Sequence, residues 1–199
     1  SLNAPRLAKI AEESGIRLVT VQGRTRQRFY NGTSDWRCVK AVKDAVGRPV
    51  IVNGDINTIR DAREALHQSG ADGGMIGRGC YGRPWFTAQV AHSLKTGQDV
   101  PDPDLATEKS FALRHYRMML DHFGERPGLR LARKHVSWYS GGLPGSATFR
   151  SAINRVDNAP EAISMLEEFY DRNIEAGVVR DRENGPAGSM PRDGCSEAA

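Results

Sequence analysis

Three short apolar runs most constrain what this chain can fold into: Leu18 to Val21, Pro49 to Val52 and Ala71 to Ile76. Each is too short for a buried helix and lies between segments of helical periodicity, and the first two are rich in β-branched residues. Ala4 to Ser14 places apolar residues at helical spacing and stops at Gly15. A second helix is expected over Trp36 to Ala45, after Ser34 or Asp35 as cap. A third runs from Ile59 to Gln68 behind Thr58, and a fourth from Pro84 to about Leu94. Short strands alternating with helices of about ten residues predict a parallel sheet with helical crossovers. Three strands cannot close a barrel, which needs eight, so the pattern is either part of a (βα)8 barrel or a small open sheet.

The pattern changes after Gly97. Pro101 and Pro103 mark a linker, and from Leu105 onward the periodicity is helical throughout. Helices are expected at Thr107 to Phe123, Leu129 to Tyr139, Ser146 to Arg155 and Pro160 to Ala176. Gly/Pro turns such as the one from Ser140 to Gly145 join them into an all-α bundle. The predicted domains are therefore 1–100, an α/β unit, and 101–176, a helical unit. Residues 177–199 form a polar, Gly- and Pro-containing tail expected to be disordered.

Composition excludes several classes. No run of about 18 apolar residues is present, so no membrane-spanning helix is expected. Cys38, Cys80 and Cys195 are odd in number and far apart, suiting a reduced, cytoplasmic protein better than a disulfide framework. The five histidines show no metal-ligand spacing, and no metal is expected. Cys80 is read as a small packing residue rather than a nucleophile. The net charge of +4 permits a polyanionic partner without requiring one.

The chemistry-bearing residues gather where the predicted strands end. Gly23-Arg24-Thr25-Arg26 follows the first strand; it could hold a phosphate or nucleic-acid backbone, or be a solvated basic loop. Asn53-Gly54-Asp55 ends the second. It could offer an amide and a carboxylate to a ligand, or merely cap the loop. Gly77-Arg78-Gly79 ends the third, with Gly82-Arg83-Pro84 at a helix start. Glycine amides with an arginine make an anion site, and late βα loops of barrels commonly take a phosphate. The helical half carries a separate signal. From Arg126 to Arg155 there is no Asp or Glu, while Arg130, Arg133, Lys134, His135, Trp138 and Tyr139 crowd one helix. Cations with aromatics alongside suit an RNA backbone. The other reading is that the rings are core and the cations pair with the acidic segment Glu161 to Glu175.

The runs VTVQGRTR, PVIVNGDI, ADGGMIGRGCYGRPW and GLRLARKHVSWY, in this order, resemble the bacterial tRNA-dihydrouridine synthases of the B-type branch. The similarity covers roughly Ala4 to Tyr170. It implies the C-terminal part of an FMN-binding TIM barrel followed by a helical domain that holds tRNA. It implies NADPH-driven, FMN-dependent reduction of uridine to 5,6-dihydrouridine. By the resemblance, Gln22, Asn53, Gly54, Asp55, Gly77 and Arg78 contact FMN, with Gly77 and Arg78 at its phosphate. Arg24, Arg26 and the segment from Arg130 to Tyr139 face tRNA. The family has histidine where Gln22 stands; glutamine donates a hydrogen bond but carries no protonic charge. The resemblance places the family's general-acid cysteine and an FMN-binding lysine upstream of Ser1, so no catalytic residue is expected within these 199 residues. Two other functions fit parts of the pattern: a flavin-dependent barrel acting on a small molecule, and a tRNA-binding chain without catalysis.

Overall fold

Local chemistry sets each element of the first half. In the computed structural model, which describes residues 3–24 and 32–180, helix α1 (Ala4–Glu13) begins with Pro5 in its first turn, where a missing N–H costs no helical bond. Strand β1 (Val19–Gln22) leads to α2 (Arg37–Lys43), and β2 (Val50–Asn53) to α3 (Ile59–Ser69). Thr58 and Asp61 form a reciprocal capping box at the start of α3, and Gly70, at φ 63°, ends it in the left-handed region. Strand β3 (Gly73–Met75) runs into a single 3₁₀ turn at Arg78–Cys80, followed by α4 (Phe86–Thr96). The strands are parallel in the order β1-β2-β3, with Val19, Val50 and their successors paired in register.

Period-two alternation gives this sheet two different faces. Val50 and Val52 are fully buried beneath the helices, with Val39, Val42, Ile59 and Ala65 around them. Thr20, Gln22, Ile51, Asn53, Gly73 and Met75 point the other way. None of these six is fully buried, and Met75 is 50% exposed.

The chain divides into two compact units. One takes the chain up to Cys80 and again Trp85–Pro101; the other takes Tyr81–Pro84 and the chain from Asp102. The second unit contains four helices: α5 (Leu105–Phe123), α6 (Glu125–Ser140), α7 (Ser146–Ile153) and α8 (Ala159–Glu175). Helix α5 packs against α6 and α8, and α7 against both α6 and α8. Their interior holds Leu113, Tyr116, Val136, Leu166 and Phe169, and the rings of Phe149 and Phe169 stack at 4.2 Å.

Two sequence expectations are corrected here. Helix α6 begins at Glu125, not Leu129. Pro127 falls in its first turn, so it breaks no bond. Gly128 brings α6 close to α5: a Cβ there would stand 3.0 Å from Leu120 Cα and Met119 O. Residues 177–180, expected in the disordered tail, instead bond to the helical unit. Val178 N–H donates to Asn173 O at 3.0 Å, and Arg180 inserts into the second unit. There it donates to Tyr139 O at 2.8 Å and stands 3.3 Å from Glu108 Oε2. The side chains of Arg180 and Glu108 are only 5% and 0% exposed. Residues 181–199 lie outside those described.

Candidate cofactor and nucleic-acid sites

The parallel register sets Gln22, Asn53 and Met75 side by side in one row at the strand ends. Among the described residues Asn53 Nδ2 donates to the soft sulfur of Met75, at 3.5 Å, and the row lies on the uncovered face of the sheet. Gly54 (φ 121°) turns the chain away after this row. A Cβ there would stand 2.3 Å from Ser34 Oγ, so a side chain is excluded. The Trp36 indole N–H fixes the same turn by donating to Gly54 O at 2.7 Å.

Asp55 follows in the left-handed region at φ 53°, where non-glycine residues are uncommon. Its carboxylate accepts from Ser34 N–H at 2.8 Å, from Arg78 Nη2 at 3.1 Å, and from Arg24 Nη2. The Arg24 side chain is 6% exposed and that of Arg78 42%. The Arg78–Cys80 turn sits close on the loop between β2 and α3, because a Cβ on Gly79 would stand 2.3 Å from Ile56 O. A Cβ on Gly77 would meet nothing within 4 Å. A polar cleft of about 930 Å³ also takes in Arg24 and Asp55, but neither Asn53, Gly77 nor Arg78 lines it. It opens along the loop before α2 rather than along the strand-end row.

Structure thus brings Gln22, Asn53, Gly54, Asp55, Gly77 and Arg78 to one end of one sheet. It gives Arg24 an inward role on Asp55 in place of a solvated loop. Arg26 lies outside the described residues. Sequence reasoning took Ser34 only as a helix cap, a place that Trp36 holds without a side-chain bond, and did not single out Trp36 or Met75 for the site. Ser34 acts through its backbone amide, which no residue identity reveals. Met75 could have been found by counting two residues on from Gly73 along the same face.

On α6 the six expected residues separate. Arg130 and Lys134 are exposed, and Lys134 Nζ lies 5.3 Å from the centre of the Trp138 ring. Arg133 is half-buried and donates to Val156 O at 3.1 Å, tying α6 to the turn after α7. Tyr139 is buried, its hydroxyl 3.1 Å from His115 Nδ1. Two carboxylates of α8 reach α5 instead of this run: Asp171 accepts from Lys109 at 2.7 Å, and Glu167 from Arg117 at 3.4 Å. Tyr81 stacks on Trp138 with ring centres 3.8 Å apart, a partner far away in sequence. His135 makes edge contacts with Trp138 at 4.8 Å and His115 at 4.7 Å.

Burial pushes His135 down to about 4, with His115 and Lys134 adding to the effect; burial also lowers His115. Both rings are therefore neutral in the fold at pH 7, while the unfolded chain takes up protons below about 6.5. The contribution of His135 is complete above that value and is lost as pH falls toward 4, and that of His115 is lost in the same direction. A full shift on His135 would be about 3 kcal/mol, and solvent screening of a half-exposed ring reduces it to about 1–2 kcal/mol. We expect the melting temperature to fall between pH 7 and pH 5, and to fall less in His135→Gln. Equal falls in the two proteins would remove His135 as the cause.

A family model described as Dihydrouridine synthase (Dus) matches residues 1–175. The probable tRNA-dihydrouridine synthase of Rickettsia bellii (strain RML369-C) is 51% identical over 168 residues, covering 84% of this chain and 52% of that protein. The tRNA-dihydrouridine synthase B of Xanthomonas axonopodis pv. citri (strain 306) is 39% identical over 176 residues, covering 88% and 53%. That of Pseudomonas aeruginosa (strain PAO1) is 38% identical over 176 residues, with the same coverage of 88% and 53%. The chain spans about half the length of the curated relatives it matches. Among the described residues, no helix is long and apolar enough to cross a membrane, and no three His, Cys, Asp or Glu side chains gather as a metal site.

Proposed function

The chain belongs to the dihydrouridine synthase family, and on that premise we propose that it carries the FMN-phosphate end and the tRNA-holding unit of a cytoplasmic enzyme reducing uridine to 5,6-dihydrouridine in tRNA. The observation that carries this reading is the in-register row of Gln22 and Asn53 beside the Asp55–Arg78 pair. In this reading the three parallel strands are the last of a TIM barrel, and their uncovered face is its interior. The helical unit from Asp102 is the tRNA-binding domain.

The residues fit FMN. Gly77 leaves open space where a side chain would stand, and Arg78 is exposed enough to meet a phosphate. Asn53 has an amide held by a sulfur, so a better acceptor can take it. When bound, FMN supplies the hydride, with NADPH as the electron donor. Arg78 and the Gly77 backbone hold the phosphate. Gln22 and Asn53 orient the ring by hydrogen bonds. The target uridine leaves its stack to reach the row, at a cost of a few kcal/mol. Deleting the gene that encodes this chain should abolish dihydrouridine at one or more tRNA positions, mapped by nucleoside mass spectrometry and reverse transcription. Unchanged dihydrouridine at every position would overturn the function.

Arg130 and Lys134, both exposed on α6, are the proposed phosphate contacts of the helical unit, beside the half-buried rings of His135 and Trp138. Arg133 and Tyr139 position this face from behind. Charge reversal of Arg130 and Lys134 together should weaken tRNA binding and lower its log–log salt slope by about 1.4–1.8, at roughly 0.7–0.9 per lost contact. Melting temperature and flavin affinity should stay as in the parent. A tRNA titration at several salt concentrations reads the slope, and a parental slope would move the RNA surface elsewhere.

A further inference from the structure

We propose that Asp55 is a positioning residue: its carboxylate does not meet the ligand's phosphate but aims Arg78 at it, while the buried Arg24 takes up the carboxylate's charge. The inference rests on the flavin reading above and assigns a division of labour within that site.

Three observations lead here. First, the Asp55 carboxylate already accepts from Arg24, Ser34 N–H and Arg78, so its acceptor positions are largely engaged by protein donors. A carboxylate has no proton to offer a phosphate at neutral pH, and direct contact between the two anions is repulsive. Second, Arg24 and Arg78 are not equivalent. Arg24 is 6% exposed and its Nη2 is turned onto Asp55 and onto Gly32 O at 2.6 Å; Arg78 is 42% exposed at the end of the strand row. Asp55 is shared between the two guanidiniums, and Arg78 is the exposed member of the three. Without Arg24, Asp55 would neutralise the cation it orients. Third, a guanidinium is planar with its donors in a fixed fork, so a bond from Arg78 Nη2 to Asp55 sets the plane in which the rest of the fork lies. Asp55 does this from the left-handed region, which a β-branched or bulky residue would enter only with strain.

The ligand class follows: a phosphomonoester, bound by one oriented arginine and glycine amides. Removing Asp55 alone would leave the buried Arg24 charge unpaired and could unfold the protein, so the informative variant is charge-balanced. Arg24→Met with Asp55→Asn removes one charge of each sign, and Asn tolerates the left-handed backbone. Folding is checked by circular dichroism. The affinities of FMN and riboflavin, which differ by the phosphate, are then measured by fluorescence quenching. We expect the ratio of FMN to riboflavin affinity to fall about tenfold in the double variant, the loss of one oriented charge-assisted bond, while riboflavin affinity stays parental. A parental ratio in the folded double variant, alongside a reduced ratio in Arg78→Ala, would overturn the role of Asp55 and leave the flavin reading standing. Equal losses for both flavins would make Asp55 a purely structural residue and also overturn the inference. All affinities are read on the complete enzyme, and its failure, unaltered, to bind either flavin would overturn the flavin reading and this inference with it.

Discussion

Arg180→Ala is expected to destabilise the helical unit by about 3–5 kcal/mol, the cost of leaving one partner of a buried ion pair behind. Glu108 is fully buried on α5, and Arg180 faces it at 3.3 Å while also donating to Tyr139 O. Alanine would remove the cation and one hydrogen bond together from beside a fully buried carboxylate. For a domain of 60–100 residues each kcal/mol moves the melting temperature by about 4–8 °C, so the shift should exceed about 12 °C. A second variant separates charge from packing. Glu108→Gln combined with Arg180→Met should recover much of the loss, because two well-packed neutral side chains often match or exceed a buried pair. Thermal denaturation followed by circular dichroism reads both. A shift below about 4 °C for Arg180→Ala would mean that Arg180 does not stay inserted in solution.

In the complete enzyme, Arg78→Ala is expected to weaken FMN binding roughly 10- to 150-fold, the loss of one charge-assisted phosphate bond of about 1.5–3 kcal/mol. Folding should change little, because Asp55 keeps its bonds from Arg24 and Ser34 N–H. Arg78→Lys should recover only part of the affinity: an ammonium carries the charge but lacks the planar fork. Fluorescence titration with FMN reads the effect, and riboflavin is the control ligand, since it has no phosphate. An unchanged FMN affinity would remove Arg78 from the phosphate site.

Much of the α/β part was legible in the sequence, since a buried parallel strand and an amphipathic helix each leave a periodic trace. Val50 to Val52 and the capped run after Thr58 are examples. Boundaries shifted by one or two residues where hydrogen bonding, not residue type, decides them: β1 runs through Gln22 and β3 is only Gly73–Met75. The strand-end residues were legible as types, but their partners were not. That Arg24 turns inward to Asp55 depends on a backbone turn at Gly54 that spacing does not reveal. The helical half hid more. Tyr139 reads as an RNA-facing ring beside Lys134, yet the helix period turns it into the core, toward His115. Arg180 gave no local signal, lying in a stretch of weak periodicity. Its partner did give one: Glu108 stands in the same buried stripe as Leu105 and Ala112, and an acid in such a stripe demands a cation from elsewhere.

Gly124 serves at once as the end of α5 and the start of α6. With φ at 79°, this one residue reverses the chain direction, and Gly128 then holds the two helices at backbone distance. Such a junction has no slack to absorb an inserted or deleted residue. Any change of length there would offset one helix against the other by a fraction of a turn and pull Gly128 off its seat on Leu120. Indels should accordingly accumulate in the exposed connection between Gly97 and Asp104, and a library of length variants should lose its folded members at Gly124 first.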